Sequence, residues 1–223
     1  MILAIEAATP RGSVALVTAE EEVLREIVLP PGRQVSETFL SAVADLLAGD
    51  TPRYVAVSAG PGSFTGLRVG MAAAKGLCFG WGIPLVPVPT LHALAMRSPT
   101  GGVTVCPVLD AKKKEVYAAL FRREGGECVR LTPDLAIAPE ELPGRIPPGP
   151  VLFLGDGAVP FGGLFRDRLG DRARFLPGEE GLPGAASVGL LAVRLVREGM
   201  AADPRSVVPA YLRRSEAEVK RGA

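Results

Sequence analysis

Apolar and polar positions alternate along the first hundred residues in a fixed order. Ile2–Ala7 is a short apolar strand carrying an acid, Glu6, near its end. Gly12–Ala19 and Glu22–Leu29 read as a strand pair joined by acidic turn residues, and Pro30-Pro31-Gly32 stops the third strand. From about Gln34 to Ala48 apolar residues recur at helical spacing, with Ser36 or Gln34 near the start and Gly49 past the end. A strand over Arg53–Ser58 then runs into Gly60-Pro61-Gly62-Ser63-Phe64-Thr65-Gly66-Leu67-Arg68, which opens a helix extending to Trp81. A short strand over Pro84–Val88 and a helix from about Thr90 complete a βββαβα order.

A similar order restarts after Gly101-Gly102. Val103–Leu109 is a strand closed by Asp110, Glu115–Arg122 its hairpin partner, and Glu127–Leu131 a third strand. Beyond a proline-rich connection from Pro139 to Pro150, strand Val151–Leu154 enters Gly155-Asp156-Gly157. Helices are expected over Gly157–Leu169 and Ala185–Gly199, the second with apolar Val188, Leu191, Ala192 and Leu195. Ile5-Glu6-Ala7 overlays on Leu109-Asp110-Ala111, and Gly60-x-Gly62 on Gly155-x-Gly157. The expected fold is therefore α/β, with duplicated βββαβα lobes over 1–100 and 101–223. That is the plan of the actin, Hsp70 and sugar-kinase superfold, ribonuclease H-like in architecture.

Two neighbouring helices carry more apolar surface than one sheet can cover. Residues 66–81 hold only Arg68 and Lys75 as charges. One small-residue face runs through Gly66, Val69, Gly70, Ala73, Leu77 and Gly80, and a second apolar face through Leu67, Met71, Ala74, Cys78 and Trp81. The preceding helix has a stripe of Val35, Phe39, Val43 and Leu46, and another of Leu40 and Leu47. A helix apolar on most sides must be buried on most sides. The pattern predicts a partner contributing two more helices, with Val35, Phe39, Leu40, Val43, Leu47, Leu67, Gly70, Met71, Ala74 and Cys78 at the contact.

Composition narrows the function classes. The apolar share of 48% supports a folded core, and a net charge of +1 gives no field that would hold nucleic acid on this chain alone. No apolar run approaches a membrane span, and Met1 leads directly into a strand, so the expected compartment is the cytoplasm, with no membrane partner. The three cysteines, Cys78, Cys106 and Cys128, form no C-x-x-C pair and read as small buried hydrophobes.

Chemistry-bearing residues are sparse. His92 is the single histidine and cannot build an imidazole metal site, so no metal is expected. Ser63 lacks a histidine base, and its loop is not the G-x-S-x-G elbow. A nucleotide-facing reading gathers Glu6, Thr9, Gly60, Gly62, Ser63, Thr65 and Asp110, because acids after first strands hold magnesium or water in related folds and helix starts attract anions. Against it, the loop has no P-loop lysine and Pro61 removes an amide donor. The simpler reading makes both acids caps of adjacent turns, lets Ser63 or Thr65 cap the helix, and sends Phe64 into the core as a plug. Lys112-Lys113-Lys114 reads as a solvated hairpin turn, like the basic tail Arg213-Arg214 and Lys220-Arg221. Either cluster is a candidate tRNA contact once a complex forms.

Ile2-Leu3-Ala4-Ile5-Glu6-Ala7-Ala8-Thr9, the Gly60–Gly70 segment, Asp110-Ala111 before Glu115-Val116-Tyr117, and Pro209-Ala210-Tyr211-Leu212-Arg213 together resemble the bacterial TsaB (YeaZ-type) family. The matches run in the family's order from residue 2 to 213. The resemblance implies a place in the machinery that installs the threonylcarbamoyl group on N6 of adenosine 37 in tRNAs reading ANN codons. It implies a required scaffold without chemistry of its own, bound to the related catalytic subunit TsaD, with the ATPase TsaE joining the pair. ATP, and a metal ion, would be used by those partners, with no cofactor bound by this chain alone. A homodimer is expected when the partner is missing, and tRNA contact only in the assembled complex. Glu6 stands where the family is expected to carry aspartate, which counts against a finely placed metal contact. The competing class is a small ATPase or sugar-kinase-like phosphotransferase using Glu6, Asp110 and the Gly60–Gly66 loop.

Overall fold

The computed structural model describes residues 1–30, 35–99, 101–124 and 127–213, with the side chains of 35–38 also outside the description. Strands β1 (Ile2–Glu6), β2 (Ser13–Val17), β3 (Val23–Val28), β4 (Tyr54–Gly60) and β5 (Leu85–Pro89) form one sheet in the order β3-β2-β1-β4-β5. The first three strands are antiparallel neighbours, whereas β4 and β5 lie parallel to β1. Every residue of β1 and β2 is buried, because helices cover both faces of the sheet. Strand alternation sorts them. Leu3, Ile5, Val14, Leu16, Val55 and Val57 face helices α1 (Val35–Leu47) and α2 (Phe64–Trp81), meeting Phe39, Val43, Leu46, Met71 and Cys78. Ile2, Ala4, Ala15, Val17, Val86 and Val88 face the opposite side.

The second lobe repeats the plan. Its strands are β6 (Thr104–Lys112), β7 (Glu115–Ala118), β8 (Phe121–Glu124), β9 (Glu127–Arg130), β10 (Leu135–Ile137), β11 (Val151–Leu154) and β12 (Ala173–Phe175). The order β10-β7-β6-β11-β12 reproduces that of the first sheet, so the architecture is the duplicated actin and sugar-kinase-like one. Helix α3 (Thr90–Ala95) follows β5, α4 (Ala158–Leu169) follows β11, and α5 (Ala185–Arg197) follows β12.

The lobes exchange their last helices. Leu91, Leu94 and Ala95 of α3 pack on Val105, Leu109, Phe121 and Leu154 of the second lobe. Val188, Leu191, Ala192 and Val193 of α5 pack on the first lobe's remaining sheet face. A boundary at residue 100 thus separates the sheets but not the cores, since the first lobe's core is completed by residues 185–197. Each of these fully buried Leu or Val side chains contributes about 1.5–3 kcal/mol.

Three expected elements differ. The partner strand expected over Glu115–Arg122 breaks after Ala118. Its first part pairs with Val108–Lys112 of β6 and its second with Thr104 and Val105. The break is held by Leu120, whose amide donates to Thr132 Oγ1 at 2.9 Å and whose carbonyl accepts from the Leu131 amide at 2.8 Å. Residues 127–130 pair only with β8, and the structural third strand is β10. Among the described residues of the second lobe there is also no counterpart of α1. Pro139, Pro143, Pro147, Pro148 and Pro150 remove amide donors there, leaving one 3-10 turn over Leu142–Arg145.

Candidate functional site: the interlobe cleft and the outer helices

The glycine loop is fitted to the protein's own backbone. Ser63 caps α2, its Oγ accepting from the Gly66 amide at 3.3 Å, and its amide donates to the Ala8 carbonyl at 2.7 Å. Gly60 has φ +123, and a Cβ there would collide with the Ala210 carbonyl oxygen. A Cβ on Gly62 would come within 2.5 Å of the Ala8 carbonyl oxygen. The glycines thus serve a close approach among three segments: the β1–β2 turn, the loop, and residues 207–211.

Those last residues form a strap between the lobes. Val207 is buried in the first lobe's core, and the Ala210 amide donates to the Ala59 carbonyl at 2.7 Å. The Tyr211 ring packs against Phe64 at a tilt of 34°, and Arg68 lies over the Phe64 ring at 3.8 Å while donating to the Tyr211 hydroxyl at 3.1 Å. Phe64 is therefore not the core plug expected, since a strap residue covers it at the surface. Arg213 reaches the second lobe, donating to the Ala111 carbonyl at 3.2 Å. It also approaches Glu115 at 2.7 Å, at an angle that makes this a charge contact rather than a hydrogen bond.

Between the lobes lies a cleft of about 500 Å³. Thr9, Gly62, Ser63, Thr65 and Asp110 line it together, so five of the residues read as nucleotide-facing do converge. Lys112, Asp156 and Tyr211 line it too. Glu6 and Gly60 do not. Glu6 is fully buried behind the turn, where its Oε1 accepts from the Ala8 amide at 2.7 Å. Burial pushes its carboxyl up to about 7 against the hydrogen bonds from Ala8, Ser58 and Thr9. A carboxylate sealed off in this way is a turn cap and not a cleft ligand.

Asp110 is a cap of the other kind. Its Oδ1 accepts from the Lys112 amide at 2.8 Å and its Oδ2 from Lys112 Nζ at 2.6 Å. Burial acts to raise this carboxyl, but the Lys112 hydrogen bonds outweigh it and hold it below its ordinary value. Asp156, on α4's entry turn, accepts from the Asp110 amide at 3.1 Å, and burial raises its carboxyl. Among the described residues no three His, Cys, Asp or Glu side chains are grouped to hold a metal ion.

The helix face expected to meet a partner is largely turned inward. Phe39, Val43, Leu47, Leu67, Met71, Ala74 and Cys78 are buried in the chain's own core, as is Gly70, which packs near Ala7 and Val57. Val35 lies outside the described side chains. Leu40 alone of the described set is on the surface, at 57% exposure. The large residues of both helices went to the sheet because two helices share its one open face. The described residues left outside include Ala44 beside Leu40 on α1, flanked by polar Ser41 and Asp45, and Ala72, Gly76, Phe79 and Gly80 on α2, beyond Thr65 and Arg68 near its start. Phe79 is 59% exposed, and among the described residues, outside the helix's own backbone, nothing lies within 4 Å of where Cβ atoms on Gly76 and Gly80 would sit.

The chain is 31% identical to the tRNA threonylcarbamoyladenosine biosynthesis protein TsaB of Bacillus subtilis, across 98% of this chain and 96% of the relative. The Escherichia coli TsaB is 30% identical across 97% and 96%. The chain belongs to the TsaB family. The solved structure of YeaZ from Pseudomonas aeruginosa superposes with a TM-score of 0.81 at 28% identity, covering 95% of this chain and 99% of that one. A family model described as TsaD, tRNA N6-adenosine threonylcarbamoyltransferase, also matches residues 33–221, so this TsaB-family chain shares its sequence pattern with that enzyme family.

Within this TsaB-family chain, sequence reading missed Asp156 as a cleft residue and Tyr211 as a structural contact. Asp156 stands between the two glycines that overlay on Gly60 and Gly62, so the internal symmetry marks its position. Tyr211 lies in a segment with no helix or strand period, and only its motif singles it out. His92 stacks on Phe121 at 5.1 Å, a packing role between the lobes. All three cysteines are buried and free, and among the described residues no helix is long and apolar enough to cross a membrane.

Proposed function

We propose that this protein is a non-catalytic scaffold subunit that docks on and activates a TsaD-type catalytic subunit, which forms N6-threonylcarbamoyladenosine at position 37 of tRNAs reading ANN codons. The observation that carries the reading is the outer surface of α1 and α2. Leu40, Ala44, Ala72, Gly76 and Phe79 expose apolar or small groups on adjacent helices, with open space over the glycines. Small residues let a neighbouring helix approach closely. A partner with the same sequence pattern would bring two helices of the same kind, giving a four-helix contact.

The protein's own cleft is not the seat of chemistry in this reading. Backbone carbonyls of Ala8 and Ala210 fill the space that a phosphate cradle would leave beside the glycines. ATP and any metal ion belong to the partner subunits, and a TsaE-like ATPase joins through the complex. tRNA is engaged only after assembly, in the cytoplasm, and the protein pairs with itself through the same helices when alone.

Co-purification with the TsaD-type subunit, scored for complex and for tRNA modification, tests the reading. Ala72→Arg is expected to abolish both while leaving the chain folded. ATP hydrolysis by the isolated chain, lost in Asp110→Ala, would overturn it in favour of the phosphotransferase reading, for which the cleft residues Thr9, Ser63, Asp110 and Asp156 speak.

A further inference from the structure

The hairpin between β6 and β7 is built against its own backbone preference. Lys112 pairs with Glu115, leaving Lys113 and Lys114 as a two-residue turn. Both have positive φ, +53 and +60, the type I′ arrangement whose favoured residues are Asn and Gly. Lys112, at the register shift before the turn, is also left-handed at φ +60. A lysine in this conformation brings its Cβ against the following carbonyl, an unfavourable contact that glycine avoids at each position.

Three consecutive lysines in the left-handed region need a reason other than the turn. The chain uses glycine freely at positive φ elsewhere, at Gly49, Gly82, Gly102 and Gly199 for example. Local strain that persists is a pointer to use. All three lysines are exposed, and the hairpin is braced from behind. Asp110 accepts from both nitrogens of Lys112, and Arg213 of the strap bonds the Ala111 carbonyl. The tip is therefore a rigid cationic projection at the rim of the interlobe cleft, lined there by Lys112 and Lys113.

We infer that the Lys112-Lys113-Lys114 hairpin is a phosphate-backbone contact for the RNA substrate of the assembled complex. The inference rests on the proposed function, which supplies RNA as the polyanion. A single fixed tip matches a point contact, because a lysine positions a phosphate without reading sequence. The chain's net charge of +1 explains why the contact would act only as part of a larger surface.

The test opposes stability to binding. In Lys113→Asn/Lys114→Gly the turn regains its preferred residues and loses two charges. The isolated variant is expected to melt about 2–4 °C higher. Its complex with the catalytic subunit is expected to bind an in vitro transcribed tRNA reading an ANN codon roughly tenfold more weakly, with a salt slope shallower by about one for each lysine removed. Lys113→Arg/Lys114→Arg should retain affinity, and Lys113→Gln/Lys114→Gln should lose it without the gain in melting temperature. Assembly with the catalytic subunit is scored in the same preparations. Intact assembly with wild-type tRNA affinity and salt slope in both charge-removing variants overturns this inference alone. Failure of the wild-type chain to assemble overturns the proposed function, and this inference with it.

Discussion

Tyr211 closes against Phe64 with 4.7 Å between ring centroids, joining the end of the described chain to the first turn of α2. The contact fastens a strap that begins in one lobe and ends on the other. Tyr211→Ala removes the tilted ring contact and the acceptor for Arg68, and is expected to cost about 1–2 kcal/mol, or a fall of about 2–8 °C in melting temperature. Arg213→Ala removes only a partly exposed charge contact and one hydrogen bond, so about 1 kcal/mol is expected. Thermal melts of both variants rank them. A larger effect from Arg213 would place the strap's main anchor on the second lobe.

Glu6 gives stability a pH dependence. Its folded carboxyl, raised by burial to about 7 from an ordinary 4.5, holds its proton more tightly folded than unfolded. The contribution of this group is therefore full below about pH 4.5 and is lost as pH rises through about 7. The loss amounts to about 3 kcal/mol when complete. Glu6→Gln keeps the acceptor for the Ala8 amide and cannot ionise. Denaturant midpoints measured from pH 5 to 8.5 are expected to fall for the native chain and stay level for the variant. Parallel curves would assign the dependence to another group.

Two alanines two residues apart on α2, and so on opposite sides of the helix, separate core from surface. Ala74 is fully buried among Met71, Cys78 and the sheet, so Ala74→Arg forces an unpaired charge into the core and is expected to leave little folded protein. Ala72 faces outward, and Ala72→Arg should shift stability by no more than about 0.5 kcal/mol. Circular dichroism of the isolated variants, set beside pull-down by the catalytic subunit, checks both. A folded Ala72→Arg that still binds would move the docking surface off α2.

Periodicity made the first lobe legible because both its signals are strong there. Short apolar runs bounded by turn residues placed β1 and β2, and a 3.6-residue repeat with a glycine stop placed α1. The same reasoning misjudged which stripe of α1 and α2 faces outward. Apolar residues lie on several sides of both helices, and only the tertiary arrangement decides that Phe39 and Met71 go to the sheet while Leu40 and Phe79 do not. In the second lobe, Glu115–Arg122 reads as one strand because nothing local marks the break at Leu120. That break depends on Thr132, and such a long-range partner is invisible in a window of ten residues. The cleft was half legible: symmetry pairs Glu6 with Asp110, yet only packing shows one acid sealed in and the other at the rim.

The two helical glycines at positions 66 and 76 should answer opposite ways to the same added methyl group. A Cβ on Gly66 would fall inside the Ala7 carbonyl oxygen, so Gly66→Ala must displace the β1–β2 turn from the loop. A loss of about 1–3 kcal/mol is expected, as for other overpacked sites. Gly76 is mid-helix with open space around it, and Gly76→Ala should stabilise the isolated chain by about 0.5–1 kcal/mol through helix propensity alone. Glycine at an exposed helical position is thus a standing cost to the free protein. If close approach by a partner helix is what retains it, Gly76→Ala will weaken complex formation while raising the melting temperature. A variant that melts higher and binds the catalytic subunit as before would show that the glycine is not needed for docking.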